Sequence, residues 1–308
     1  MKRFFVALAA LGLAAAVATA QDFNAAVDAF NAGAQALESN KTEALAQFRA
    51  ALEQAQACED AEAADLITKC KEIIPGTMLA IAKEQINDAD YDTAVGTLTE
   101  VQAVAAEYGL PDVAADAKAL VPNVYLRKGT SLLKAKEFPA AADALKQVTA
   151  LTPENGQAYI LLGQAQLQSG ETDAAIEALE QANALGEAQA GKLLSTTYLK
   201  KGQALMKAGK NAEAIEALEK SNAYVESANA YKLIASAQTK SGKNAQAIAA
   251  YKKYLEIAPD AKDAADIMFT IAATAQKAGD KATATEYYKK LAGTKYAAQA
   301  EAQLKALK

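Results

Sequence analysis

Residues 159–182 read YILLGQAQLQSGETDAAIEALEQA, and the spacing inside this stretch decides the fold. Gly163 is followed twelve residues later by Ala175, and Ala175 four residues later by Leu179. The alanine returns as Ala44, Ala94, Ala141, Ala214, Ala247 and Ala284, and the large residue after it as Phe48, Leu98, Leu145, Leu218, Tyr251 and Tyr288. The very small residue before it returns as Ala82, Gly129, Gly202, Ala235 and Ala272. In the first copy the turn is one residue shorter and Gly33 takes that place. Small residues let two helices approach closely, and the large residue fills the space beside them. A unit of this kind cannot bury its apolar face alone, so it stacks on its neighbours.

A glycine stands five residues before the alanine in four copies, as Gly170, Gly209, Gly242 and Gly279. That position suits a left-handed residue just past a helix end, where glycine has no side chain to clash. The frame resembles the tetratricopeptide repeat, an antiparallel helix pair of about 34 residues. The resemblance is carried by Gly163, Ala175, Leu179 and Ala182; by Gly129, Ala141, Leu145, Val148 and Pro153; and by Ala235, Ala247, Tyr251, Tyr254 and Pro259. It implies an all-α fold, an α-solenoid (superhelix) of about seven antiparallel helix pairs. The pairs fall near residues 23–57, 62–107, 109–153, 156–186, 188–223, 227–259 and 260–292, with a capping helix over 294–308. Residues 21–308 read as one solenoid, because no Pro/Ser/Gly-rich linker interrupts them.

Two departures from the pattern stand out. Tryptophan is absent, and its usual place holds Tyr125, Tyr159, Tyr198 and Tyr231, or Met78 and Met268. Packing between neighbouring repeats is the favoured reading of the tyrosines, ahead of an aromatic ladder for sugars. The alanine spacing is also uneven, at 50, 47, 34, 39, 33 and 37 residues. The two long intervals contain lead-ins ending in Pro75 and Pro122, each 19 residues before its alanine. The lead-ins therefore predict long first helices kinked at proline, or two helices meeting there. Pro111 reads as the first residue of the second lead-in helix.

Residues 1–20 have the form of a cleaved secretory signal. Lys2 and Arg3 form the basic start, Phe4 to Val17 the apolar stretch, and Ala18-Thr19-Ala20 the small-residue site, with cleavage between Ala20 and Gln21. The apolar stretch falls short of the ~20 residues that span a bilayer, and no cysteine for a lipid anchor lies nearby. The expected location is the periplasm, without a membrane span. The 37 acidic and 32 basic residues give a net charge of −5, which disfavours nucleic acid as a bulk electrostatic partner.

The chain has no histidine, which removes Ser-His-Asp and Cys-His catalysis, histidine acid–base chemistry and histidine zinc sites. Glu59, Asp60 and Glu62 read as solvated acids beside a helix start. No enzyme activity and no cofactor are expected. Cys58 and Cys70 are either a disulfide closing a turn or two thiols acting as small apolar residues. On one continuous helix they would stand ~18 Å apart, beyond the ~7 Å between Cα atoms that a bond allows. Asn40-Lys41-Thr42 matches a glycosylation acceptor, but an asparagine at a helix end is the plainer reading.

In the family that the repeats resemble, first helices line a concave groove. The resemblance places there Asn123, Leu126, Thr130 and Lys134; Gln157, Ile160, Gln164 and Gln168; Thr196, Leu199, Gln203 and Lys207; and Asn229, Lys232, Ser236 and Lys240. None is acidic, on a chain that is acidic overall. Amides hydrogen-bond an extended peptide backbone, and lysines hold carboxylates, although a helix dipole also favours lysine in any last turn. The set lacks the Asn and Arg of the family's dedicated clamp for chain-terminal carboxylates. The expected function is a non-enzymatic scaffold binding a protein or peptide, in assembly or organisation of envelope proteins. The alternatives are capture of a small molecule or glycan, and a self-associating structural protein.

Overall fold

The computed structural model describes residues 23–58 and 61–307. The leader and its cleavage point at Ala20 and Gln21 lie outside the described residues. The described residues form helices joined by turns, with no strand among them. The first four are α1 (Phe23–Ala36), α2 (Lys41–Gln56), α3 (Ala63–Asn87) and α4 (Tyr91–Glu107). Next come α5 (Pro111–Lys134), α6 (Phe138–Leu151), α7 (Gly156–Gln168), α8 (Thr172–Ala184), α9 (Ala188–Lys207) and α10 (Asn211–Tyr224). The chain continues through α11 (Ala228–Lys240), α12 (Asn244–Ile257), α13 (Ala264–Lys277), α14 (Lys281–Lys290) and α15 (Ala297–Ala306). This is the expected α-solenoid of antiparallel helix pairs closed by a last helix. The helices fall into two compact units whose boundary, between Arg127 and Lys128, lies inside α5.

In the first unit α2 packs on α1 and α3, and α4 on α3. Its core holds Phe48, Leu52, Ile74, Met78, Leu98 and Val101. Asn40 caps α2, its side chain accepting from the Glu43 backbone N–H at 3.1 Å. Both lead-ins are single helices that run through their prolines. Pro75 lies inside the 25 residues of α3, and Pro122 inside the 24 of α5, which starts at Pro111 as expected. A proline within a helix removes one backbone hydrogen bond, so burial against neighbouring helices must outweigh that loss. Pro75 is itself buried.

In the second unit each helix from α6 to α15 packs on the next, and α9 also touches α11. The small-residue frame explains the close approach. A Cβ added to Gly163 would lie 2.7 Å from Leu179 Cγ, and one on Gly202 would lie 2.6 Å from Leu218 Cγ. Gly129 meets Leu145, and Gly33 in the first unit meets Phe48, both at 2.7 Å. Each large residue is fully buried against the space that glycine leaves.

The turn glycines have the left-handed backbone expected of them, with φ of +83°, +77°, +72° and +81° at Gly170, Gly209, Gly242 and Gly279. Ala89 and Lys136 occupy the corresponding turn position in two other repeats, each with φ of 62°. A residue with a side chain costs ~1–2 kcal/mol in this conformation. The sequence frame marks the position, but only the backbone reveals that these two residues carry strain.

Other differences are local. The expected helix from 260 starts at Ala264, because Pro259 and the turns after it carry the chain to Asp263. Asp263 accepts hydrogen bonds from Lys232 and Tyr254, tying the turn to α11 and α12. α15 packs on α14, and Gln303 accepts from the Gln276 side chain at 2.9 Å.

Candidate functional site

The second unit contains a cavity of about 1110 Å³ between the end of α5, the starts of α6 and α8, and the facing sides of α7 and α9. Its apolar lining is Leu133, Phe138, Leu167, Leu193 and Ala204. Its polar lining is Gln164, Gln168, Thr172, Thr196 and Thr197, and its charged lining Lys134, Lys136, Asp173, Lys200 and Lys201. The helices position these residues by period. Leu193, Thr196, Thr197, Lys200, Lys201 and Ala204 recur at three- and four-residue steps on α9, so they share one face.

Four of the sixteen sequence-predicted residues line the cavity: Lys134, Gln164, Gln168 and Thr196. Gln157, Lys207, Asn229 and Lys240 are exposed elsewhere on the second unit, and Thr130, Leu199, Gln203 and Ser236 are half-buried there. Ile160 is buried at 1% exposure, against Ala182 and Ala190, and presents nothing to a ligand. Lys232 is paired with Asp263 and lies over the Tyr254 ring at 5.7 Å. Asn123, exposed, and Leu126, half-buried, belong to the first unit.

The sequence frame missed Lys136, Phe138, Lys200 and Lys201, and the reason is geometric. On α9 it selected residues 196, 199, 203 and 207, whereas the cavity face runs through 193, 196, 197, 200 and 204. One residue along a helix turns the face by ~100°. Leu199 instead packs against the core of the second unit. The signal available in the sequence was the run of Leu193, Lys200 and Ala204 at helical spacing around Thr196.

The donors and charges are unevenly engaged. Thr196 and Thr197 donate to the backbone carbonyls of Lys192 and Leu193, at 3.0 and 2.7 Å. Lys201 pairs with Asp173 at 2.6 Å. Among the described residues no ion pair involves Lys134, Lys136 or Lys200, and the amides of Gln164 and Gln168 make no side-chain hydrogen bond. The cavity therefore presents two amides and three lysines without an ion-pair partner beside an apolar lining.

Three of the four tyrosine positions serve packing. Tyr198 is buried and stacks on Tyr224 with ring centroids 6.0 Å apart, and its hydroxyl donates to Glu180 at 2.9 Å. Burial, then the Glu180 carboxylate, holds its hydroxyl well above the ordinary tyrosine range. Tyr159 and Tyr231 pack against the cores beside them, and Tyr231 donates to Glu226 at 3.0 Å. The Cys58 thiol donates to the Gln54 carbonyl at 3.2 Å, and Cys70 is a free thiol with no exposed surface. Among the described residues no three His, Cys, Asp or Glu side chains are grouped to hold a metal ion.

The tetratricopeptide-repeat family model matches residues 126–190 and 199–262. Those two stretches contain most of the cavity lining and the turns at Gly170, Gly209 and Gly242. These stretches are tetratricopeptide repeats. Solved structures similar to this repeat protein include a MamA protein, at 24% identity, covering 59% of this chain and 90% of the other with a TM-score of 0.33. A second is the C-terminal part of a TPR repeat-containing protein from Cytophaga hutchinsonii, at 16% identity, with 70% and 78% covered and a TM-score of 0.37. A third is the TPR domain of P58(IPK), at 13% identity, with 92% and 97% covered and a TM-score of 0.29. Comparison with curated proteins gives no match. Tetratricopeptide repeats are protein-interaction scaffolds and are generally non-enzymatic, so protein partners are the class this fold serves. Among the described residues, no helix is long and apolar enough to cross a membrane.

Proposed function

We propose that this protein is a non-enzymatic periplasmic scaffold. In this reading it is exported by residues 1–20 and holds a segment of a protein partner in a groove formed by its first helices, in the assembly or organisation of envelope proteins. The observation that carries the reading is the cavity of about 1110 Å³, where amides, threonines and lysines stand beside apolar side chains within the repeats. Gln164 and Gln168 offer unengaged amides to an extended backbone. Helices already packed in place lose little ordering entropy when a segment binds. The N-terminal pattern of Lys2, Arg3, the apolar run and Ala18-Thr19-Ala20 supports export.

The test is affinity capture from envelope extract with residues 21–308, beside a variant carrying Gln164→Ala, Gln168→Ala and Thr196→Ala. A partner held by the parent chain and released by the variant is the expected result. A partner held equally by both would move the binding surface away from the cavity, and capture of no protein would overturn the scaffold reading.

A further inference from the structure

We infer that the cavity takes an acidic peptide segment with an apolar anchor, and that Lys134, Lys136 and Lys200 are the residues that select it. The inference rests on the scaffold reading and adds the chemistry of the partner. A chain of net charge −5 has gathered four lysines around one cavity, and its single acid there, Asp173, is already paired with Lys201. Lys134, Lys136 and Lys200 line the same cavity without an ion-pair partner, so their fields add there and favour an anionic ligand. The dipole argument covers only part of the set. Lys134 stands in the last turn of α5, where any helix favours a cation, but Lys200 lies well inside α9, away from its ends.

Lys136 allows the charge to be tested apart from the backbone. It sits at the left-handed turn position that four other repeats give to glycine, with φ of 62°, and it lines the cavity. Ala89 has the same φ at the same place in its own repeat and carries no charge, so it separates the backbone effect from the charge effect. Phe138, Leu167 and Leu193 provide the apolar part of the lining. A segment mixing carboxylates with one large apolar side chain matches both surfaces.

The experiment is a fluorescence-anisotropy titration of residues 21–308 with a labelled peptide that alternates glutamate and leucine, and with its glutamine-for-glutamate counterpart. The acidic peptide is expected to bind at least about ten-fold more tightly, and to weaken as salt is raised. Lys136→Gly and Lys200→Gln are each expected to weaken it roughly ten-fold, the scale of one charge-assisted hydrogen bond. Lys136→Gly should also raise the melting temperature, so its loss of binding cannot come from unfolding. Ala89→Gly, with the same backbone relief, should leave binding unchanged. Equal binding of the two peptides would overturn the acidic preference and leave the scaffold reading standing. Lysine-dependent binding of citrate with no binding of either peptide would overturn the peptide in favour of a small organic anion. If the capture experiment releases a partner from the alanine variant while neither peptide binds, the acidic inference alone fails.

Discussion

α3 of the first unit and α9 of the second occupy the same place in their repeats and solve it differently. α9 has 20 residues and no proline; it meets its partner helix across Gly202 against Leu218, and it turns at Gly209 with φ of 77°. α3 has 25 residues with Pro75 inside, carries Ala82 where α9 has glycine, and turns at Ala89 with φ of 62°. In α9 the local residues agree with the fold at every step. In α3 two of them oppose it, and the burial of Ile74, Met78, Leu79 and Ile86 holds the helix regardless. Propensity thus yields to packing where enough apolar surface is covered.

The largest expected effect tests the close approach in α9. Gly202→Val places side-chain atoms where Leu218 Cγ already lies, and should lower stability by about 3 kcal/mol in chemical denaturation. A loss below about 0.5 kcal/mol would show that the two helices separate at little cost. The next effect has the opposite sign and belongs to α3. Pro75→Ala restores a backbone donor within the helix but removes buried ring atoms, so a net gain of about 1–2 kcal/mol is expected. A loss instead would mean that the ring is a packing element worth more than the missing hydrogen bond.

The smallest effect separates the units by pH. In the second unit Asp263 accepts from Lys232 and Tyr254, and Lys295 pairs with Asp266 at 2.5 Å. The Lys232 hydrogen bond, then that of Tyr254, holds the Asp263 carboxyl below the usual carboxylate range. Its contribution is present above the unfolded-state value and is lost as pH falls through the lower folded value, so melting temperature should drop below about pH 4. Burial, then Asp263, pushes the Tyr254 hydroxyl up to about 12. That contribution should be complete below pH ~10 and disappear as pH rises towards 12. Asp263→Asn should flatten the acid limb and cost about 1 kcal/mol or less at neutral pH. An acid limb unchanged in the variant would assign it to other carboxylates. In the first unit the longer-range ion pairs, Lys41–Glu84 and Arg49–Glu100, have exposed carboxylates, a setting in which an ion pair adds little stability.

The helix pairs were legible in the sequence because the small–alanine–large frame repeats with its spacing intact, and most helix ends fall within a few residues of the expected ones. Helix 264–277 is the exception, since Asp263 is fixed by partners 9 and 31 residues away that no local pattern reveals. The site was less legible. The family frame pointed to the first helices and found Gln164, Gln168 and Thr196, but a one-residue error of phase on α9 replaced Lys200 with Leu199. Ile160 illustrates the same limit, because a position exposed in one repeat is buried in another when the neighbouring helix differs. Lys136 lay outside any helical register, and only its backbone angle and its place on the cavity wall brought it forward.

Cys70 has a consequence for watching the molecule move. Its thiol is fully enclosed within α3, and burial pushes its pKa up to about 11, so at neutral pH it is almost entirely in the unreactive form. An alkylating reagent can reach it only when the helix around it opens. The rate of its labelling is then a clock for local opening of the proline-bearing helix, carried by the natural chain without any added probe.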